Sequence, residues 1–394
     1  MIYFDNAATT QASPEAAAAV NRMMTQSYGN PSSPHVMGLM AEREIKNASE
    51  IIAGILKVRQ DEIFYTSGGT ESNNMAILGA AAARKRQGRH VITSRVEHPS
   101  VENAMKALEN EGYEITRLPV DHNGGLDPSA VSEAVRDDTI LVSLMHVNNE
   151  TGTVFDIEGI GGAVKEKNSR ILFHTDGVQG FCKEPLNLRH VDLYSLSAHK
   201  IHGIKGAGAL FIRKGVILKP LLYGGGQQRG IRPGTENTAG IAGLAAAAEA
   251  QNIGLIQTRK CVSGIRSELS DLAQSLDDVF INGSGSPFIL NMSFIGVKGE
   301  TLVHALEGEG IYISTGAACN AKHPGHSSLT ALKLGQGRVD SAVRFSFSGG
   351  NTQDEAVTCK EAVIKAVQML RGNLRDIDNN FKALYNNKKI RRIK

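Results

Sequence analysis

Seven short apolar runs, each followed by small or polar residues, constrain this chain more than any other feature. They are "IFYTS" (63–67), "HVITS" (90–94), "YEITRLPV" (113–120), "ILVSLMHV" (140–147), "ILFHTD" (171–176), "LYSLSA" (193–198) and "GALFIR" (208–213). Between some of them lie stretches of helical character, such as "ESNNMAILGAAAARKRQ" and "PSAVSEAVRD". Strands alternating with helices predict an α/β fold with a mainly parallel sheet covered on both faces. The runs are nearly all apolar instead of alternating, as strands buried on two sides should be. The 42 glycines against 11 prolines suit loops that join such strands to helices.

At 394 residues the chain exceeds what one hydrophobic core usually organises. Residues 14–250 are expected to form a large α/β domain. Residues 1–13 and 251–394 are expected to form a smaller α+β domain, with strands in "NMSFIG", "IYIST" and "AVRFSFS" and a closing helix near 353–371. An alanine-rich helix running toward about residue 280 connects the two. The segment "YGGGQQRGIRPGTENTAG" (223–240) holds too much glycine and polar character for a core, and reads as a functional loop.

The net charge of +3 is too small to imply nucleic acid as a partner. Five of the cations lie in the terminal "KKIRRIK", a solvated tail or a docking arm. No run approaches the ~18 uninterrupted apolar residues of a membrane span, and the N-terminus lacks the pattern of a signal peptide. Cys182, Cys261, Cys319 and Cys359 are scattered without a CxxC, which argues against disulfides and zinc and makes a reducing cytoplasm the expected setting. His323 and His326 follow Cys319 closely but are not read as metal ligands.

Three stretches carry chemistry. In "YTSGGTESNN" a strand ends, two glycines turn the chain, and Thr70 begins a helix whose free N–H groups suit an anion. No lysine of a nucleotide-binding loop follows, and GxGxxG is absent. In "LFHTDGVQG" an apolar strand ends at Asp176, where open α/β sheets bind ligands. In "SLSAHKIHG" a buried strand ends near Lys200, an expensive position unless the amine is exposed, paired or covalently used. An anion nest, an aspartate and a lysine at strand ends are together the parts that a pyridoxal 5'-phosphate (PLP) site needs.

The successive motifs "YFDNAATT", "GNPSSPH", "TSGGTESNN", "EHPSV", "MHVNNETG", "HTDGVQ", "SAHKIHG", "GGGQQRGIRPGT", "STGAAC" and "VRFSFS" resemble, in order and spacing, those of the cysteine desulfurases. They are similar to the class that serves iron–sulfur cluster assembly and tRNA thiolation. The resemblance implies a fold-type I PLP-dependent transferase, usually a homodimer, that passes sulfur from L-cysteine to a protein acceptor. It implies that Lys200 bonds the cofactor and that Asp176 pairs with its ring nitrogen. Gln179 and Asn149 would reach the phenolic oxygen, and His98 would stack on the ring and help move protons. Thr70, Ser197 and His199 would hold the phosphate, with Thr235 reaching in from a second subunit. Arg344 would pair with the substrate carboxylate, a task that a guanidinium fork suits.

Cys319, in "YISTGAACNAKHPG", would be the nucleophile that takes up sulfur as a persulfide. Taken alone it reads as filler. Ile204 and Pro233 depart from the residues usual in this family, as does "STGAACNA". A cystine or selenocysteine lyase of the same fold and a non-catalytic scaffold are the alternatives.

Overall fold

The computed structural model describes residues 1–316 and 327–390, with side chains as far as Gly372. Cys319, His323, His326 and the last four residues lie outside the described residues.

Thirteen strands are described. They are β1 (Ile2–Tyr3), β2 (Ile63–Thr66), β3 (His90–Ser94), β4 (Glu114–Leu118), β5 (Thr139–Met145), β6 (Leu172–Asp176), β7 (Leu193–Ser197), β8 (Gly208–Ile212), β9 (Val279–Asn282), β10 (Ile289–Phe294), β11 (Ile311–Tyr312), β12 (Ser314–Thr315) and β13 (Ala342–Ser346). The seven apolar runs become β2 to β8, which form one sheet in the order β2-β8-β7-β6-β5-β3-β4. Only β8 runs against its neighbours. The rest of the ladder, from β7 to β4, is parallel.

Each central strand is buried on both faces because successive side chains point to opposite sides of a sheet. Leu141, Leu172, Leu193 and Leu210 pack into one core under the helices Gly69–Arg84 and Pro99–Asn110. Their neighbours Val142, Phe173, Tyr194 and Phe211 pack into another, against the helices Val36–Leu56, Ile157–Lys167 and Thr238–Ser270.

A third core lies apart from these. It is built from the antiparallel sheet β12-β13-β10-β9, the parallel pair β1–β11, and the helices Gly299–Glu307 and Gln353–Ile390. Phe4 and Ala7, from the start of the chain, are buried in it with Phe345 and Phe347. The helix Thr238–Ser270 joins the two regions. Ile241, Leu244 and Ala248 belong to the large core, whereas Val262, Ile265 and Leu269 belong to the small one. By length and composition this helix could cross a membrane, but both of its halves are committed to the interior of the protein.

The turn after β2 depends on one backbone conformation. Gly68 has φ 148° and ψ −173°, a region that only glycine adopts without strain, and the next residue opens the helix. A Cβ at Gly68 would meet nothing nearer than the Ser197 hydroxyl at 3.6 Å, so space is not the limitation. Gly68→Ala is therefore expected to cost about 1–3 kcal/mol through backbone strain alone. The shift of the urea midpoint measures it; an unchanged midpoint would show that the turn adopts another conformation at no cost.

Candidate active site

The carboxyl ends of β5, β6 and β7, the start of the helix Gly69–Arg84 and strand β13 of the small sheet enclose a cavity of about 300 Å³. This lies at the lower end of the range for small-molecule sites. Lys200, Thr70, His98, Asn149, Asp176, Gln179, Ser197, His199 and Arg344 all line it, although they are drawn from across the chain. Thr235 does not. It lines a separate hollow of about 170 Å³ beside Ser67 and Arg232.

Asp176 ends β6 and is buried. Its Oδ2 accepts from Asn73 Nδ2 at 2.8 Å and its Oδ1 from the Val178 N–H at 3.0 Å. The same Asn73 amide donates to Ser100 Oγ at 2.9 Å, which leaves the serine hydroxyl to donate to His98 Nδ1 at 2.8 Å. The Ser100 N–H, at 3.1 Å, also donates to that nitrogen, so His98 caps the helix Pro99–Asn110 with its ring. A neutral imidazole that accepts at Nδ1 carries its proton on Nε2. Burial lowers the pKa of His98; Asp176 opposes the fall and Lys200 adds to it.

Lys200 follows β7 on a short helical turn, and its Nζ donates to the carbonyls of Ala7 and Ala8, each at 2.7 Å. Gln179 Nε2 donates to the same Ala7 carbonyl at 2.8 Å. Beside them, His199 Nδ1 lies 3.1 Å from Thr9 Oγ1, and burial together with Lys200, Lys205 and Lys183 pushes this ring down to about 4. Across the cavity Arg344 is almost wholly buried, with Nη2 donating to Asp5 Oδ1 at 2.8 Å and Nη1 to the Asn149 carbonyl at 2.9 Å. Its Nε has no partner among the described residues.

The chemistry of this donor set fits PLP. Gly69 and Thr70 open a helix, with Ser197 and His199 beside them, as an anion requires. Asp176 is held by two N–H donors in the cavity wall, and Lys200 reaches in from the adjacent strand end. The Asn73 Oδ1 is buried without a partner among the described residues, which marks the wall as built to meet a further polar group.

The segment that contains Cys319 is tethered here on both sides. Before it, Gly316 N–H donates to the Ala342 carbonyl at 3.0 Å, and β12 pairs with β13 so that Ser314 faces Arg344. After it, Ser328 N–H and Ser327 Oγ donate to Glu150 Oε2 at 2.9 and 3.0 Å, while Asn148 Nδ2 donates to Ser328 Oγ at 2.9 Å. Asn73, Asp5, Glu97 and Lys183 belong to the site or its surroundings although no sequence pattern singles out most of them. Only Asn73 carried a signal, since it lies three residues after Thr70 on a helix and must share its face.

Residues 2–357 match the family described as aminotransferase class-V. The chain belongs to that family. It is 42% identical to a NifS/IcsS protein homolog of Lactobacillus delbrueckii subsp. bulgaricus, over 90% of this chain and 94% of the relative. It is 40% identical to the cysteine desulfurase IscS of Methanosarcina thermophila, over 94% and 93%. A solved NifS-like protein superposes with a TM-score of 0.87 at 37% identity, covering 94% of this chain and 99% of that one. A second, described as SspA in complex with cysteine, gives 0.78 at 35% identity over 88% and 99%.

Of the departures from the family pattern, Ile204 is partly buried against the large core, where an apolar side chain belongs. Pro233 packs near Gly224 in the glycine-rich loop.

Glu97, beside His98, has a buried carboxyl. Its Oε1 accepts from Ser94 Oγ at 2.5 Å and from the Met145 N–H at 3.2 Å, and its Oε2 has no partner among the described residues. Burial pushes this carboxyl up to about 8; the Ser94 bond opposes the rise and nearby Asp176 adds to it. The folded chain thus binds a proton that the unfolded chain releases above about pH 4.5. Stability from this group is complete below that pH and declines as the pH rises to about 8. Glu97→Gln, neutral throughout, should show a shallower fall of thermal midpoint between pH 5 and 8 than the native protein. Equal slopes would mean that Glu97 is ionised in the folded state.

Proposed function

We propose that Lys200, Asp176, His98 and Arg344 carry the reaction of a PLP-dependent cysteine desulfurase in which Cys319 accepts the sulfur. The observation that supports it best is the convergence of Lys200, Asp176 and Arg344 on one cavity, with both flanks of the Cys319 segment tied to its rim. Bound PLP supplies an electron sink for the bonds broken at the substrate's α and β carbons. Thr70, Ser197 and His199 would hold its phosphate, and Asp176 would pair with its ring nitrogen. Lys200 Nζ would bond the cofactor and would move the substrate's α proton. Arg344 binds the carboxylate of L-cysteine.

The neutral His98 ring, with Nδ1 committed to Ser100, offers its Nε2–H for proton transfer. The Cys319 thiolate attacks the substrate sulfur, the carbon–sulfur bond breaks, and the products are L-alanine and a Cys319 persulfide. A protein acceptor then takes the sulfur, for cluster assembly or tRNA thiolation. Such a thiol suits a reducing cytoplasm.

A homodimer completes this reading. Thr235 lies outside its own cavity, and Arg232, three residues earlier, pairs with Glu71 at 2.8 Å. The exposed Tyr28, Val36, Leu222 and Tyr223 are apolar side chains of the kind that a subunit interface covers.

Alanine formation from L-cysteine, with PLP and a thiol reductant, tests the assignment. Lys200→Ala and Cys319→Ala should each lower it by about 10²-fold or more. Full activity in Cys319→Ala would instead indicate a lyase, and full activity in Lys200→Ala would remove that residue from the chemistry.

A further inference from the structure

Lys183 is buried seven residues after Asp176, and no step above uses it. Among the described residues its amine makes one hydrogen bond, from Nζ to Gln179 Oε1 at 3.2 Å, and it lies 6.0 Å from the Phe288 ring centre. The adjacent carboxyl, Glu184, is engaged elsewhere, by Arg259 and Ser286, each at 2.6 Å. Arg259 also donates to the Lys183 carbonyl at 2.5 Å. A core lysine whose hydrogen bond goes to a neutral amide is expensive and adds little to stability.

What the contact does is orient the amide. The two ends of a glutamine amide are nearly isosteric, and partners alone decide which end points where. A lysine ammonium has donors and no acceptor, so it fixes Oε1 toward itself and sends Nε2 toward Ala7 and the cavity. The Ala7 carbonyl favours the same orientation, but it also accepts from Lys200 Nζ, a group that changes partner during the reaction. Lys183 imposes the orientation from a position that the chemistry does not touch.

We propose that Lys183 is a positioning residue for the cofactor site, which locks the Gln179 amide so that its N–H donors face the cofactor's phenolic oxygen. This rests on the reading of Gln179 given above. Burial lowers the Lys183 pKa to about 7; Lys200 and Arg344 add to the fall, while Glu184 and Cys182 oppose it.

A donor at the phenolic oxygen stabilises its negative form, which makes the neighbouring nitrogen of the Lys200 linkage easier to deprotonate. The readout is the pH midpoint at which the visible absorption of bound PLP changes. In Lys183→Met that midpoint should rise by about one pH unit, and Lys183→Arg should restore most of the difference. In a Gln179→Ala background the Lys183→Met change should add no further shift, because the effect passes through Gln179.

A Lys183→Met midpoint equal to the native one overturns the proposal. So does an undiminished shift in the Gln179→Ala background, which would mean that charge acts directly. A native protein that shows no PLP absorption at all would overturn the underlying reading, an outcome distinct from either.

Discussion

The N-terminal segment Asp5–Ala8 is the strap on which the site depends. Ala7 is buried in the small core with Phe345, yet the carbonyls of Ala7 and Ala8 face the turn that follows β7. Ala7 accepts from both Lys200 and Gln179, and Ala8 from Lys200. Asp5 takes the Arg344 guanidinium, and Asn6 donates to the Ser346 carbonyl at 3.0 Å. One short stretch therefore positions the lysine of one region relative to the arginine of the other. The Asp5–Arg344 contact sets an almost wholly buried guanidinium against a partly exposed carboxylate. Removing Asp5 would leave the arginine charge without its ionic partner in the interior.

Electrostatically, the site separates groups that must stay neutral from groups that must carry charge. His98 and His199 are both driven toward the neutral form by burial, and the lysines around His199 reinforce it. Glu97 is kept protonated over most of the neutral range although it is adjacent in sequence to His98. Asp176, only a few ångströms of network away through Asn73 and Ser100, instead has both oxygens facing N–H donors. The two carboxyls thus differ in their donors. Asp176 has one at each oxygen, whereas one oxygen of Glu97 has none among the described residues.

Much of the large sheet was legible because a strand buried on two faces is largely apolar, as most of the seven runs are. Their direction was not legible. Nothing in "GALFIR" says that β8 runs against its neighbours, since periodicity carries no polarity. The edge strand β9 has an apolar run of only three residues, Val279 to Ile281, with Phe280 and Ile281 partly exposed, too short to stand out. At the site, Asp176 and Lys200 could be picked out as costly residues at the ends of apolar strands. Asp5 and Lys183 could not. Asp5 acquires its role through a contact across 339 residues of sequence, and Lys183 acquires its own from the interior into which Phe181 and Phe288 fold. Such roles are properties of juxtaposition, and no local pattern encodes them.

In the proposed reaction the separation of the large sheet from the small one has a chemical use. Lys200 and Asp176 would need to be fixed relative to each other, and both follow or end adjacent strands in a sheet covered on both faces. A sulfur-accepting thiol would have to meet the substrate and afterwards an external acceptor. The described residues that flank Cys319 are held by different parts: those before it by β13, which also carries Arg344, and those after it by the Asn148–Glu150 turn. The Asn149 carbonyl in that turn accepts from Arg344, so the two anchors are bridged by the guanidinium that would bind the substrate carboxylate. In the proposed reaction the substrate would share that guanidinium with Asp5 and Asn149. Its binding would then act directly on the group that links the two flanks of the Cys319 segment.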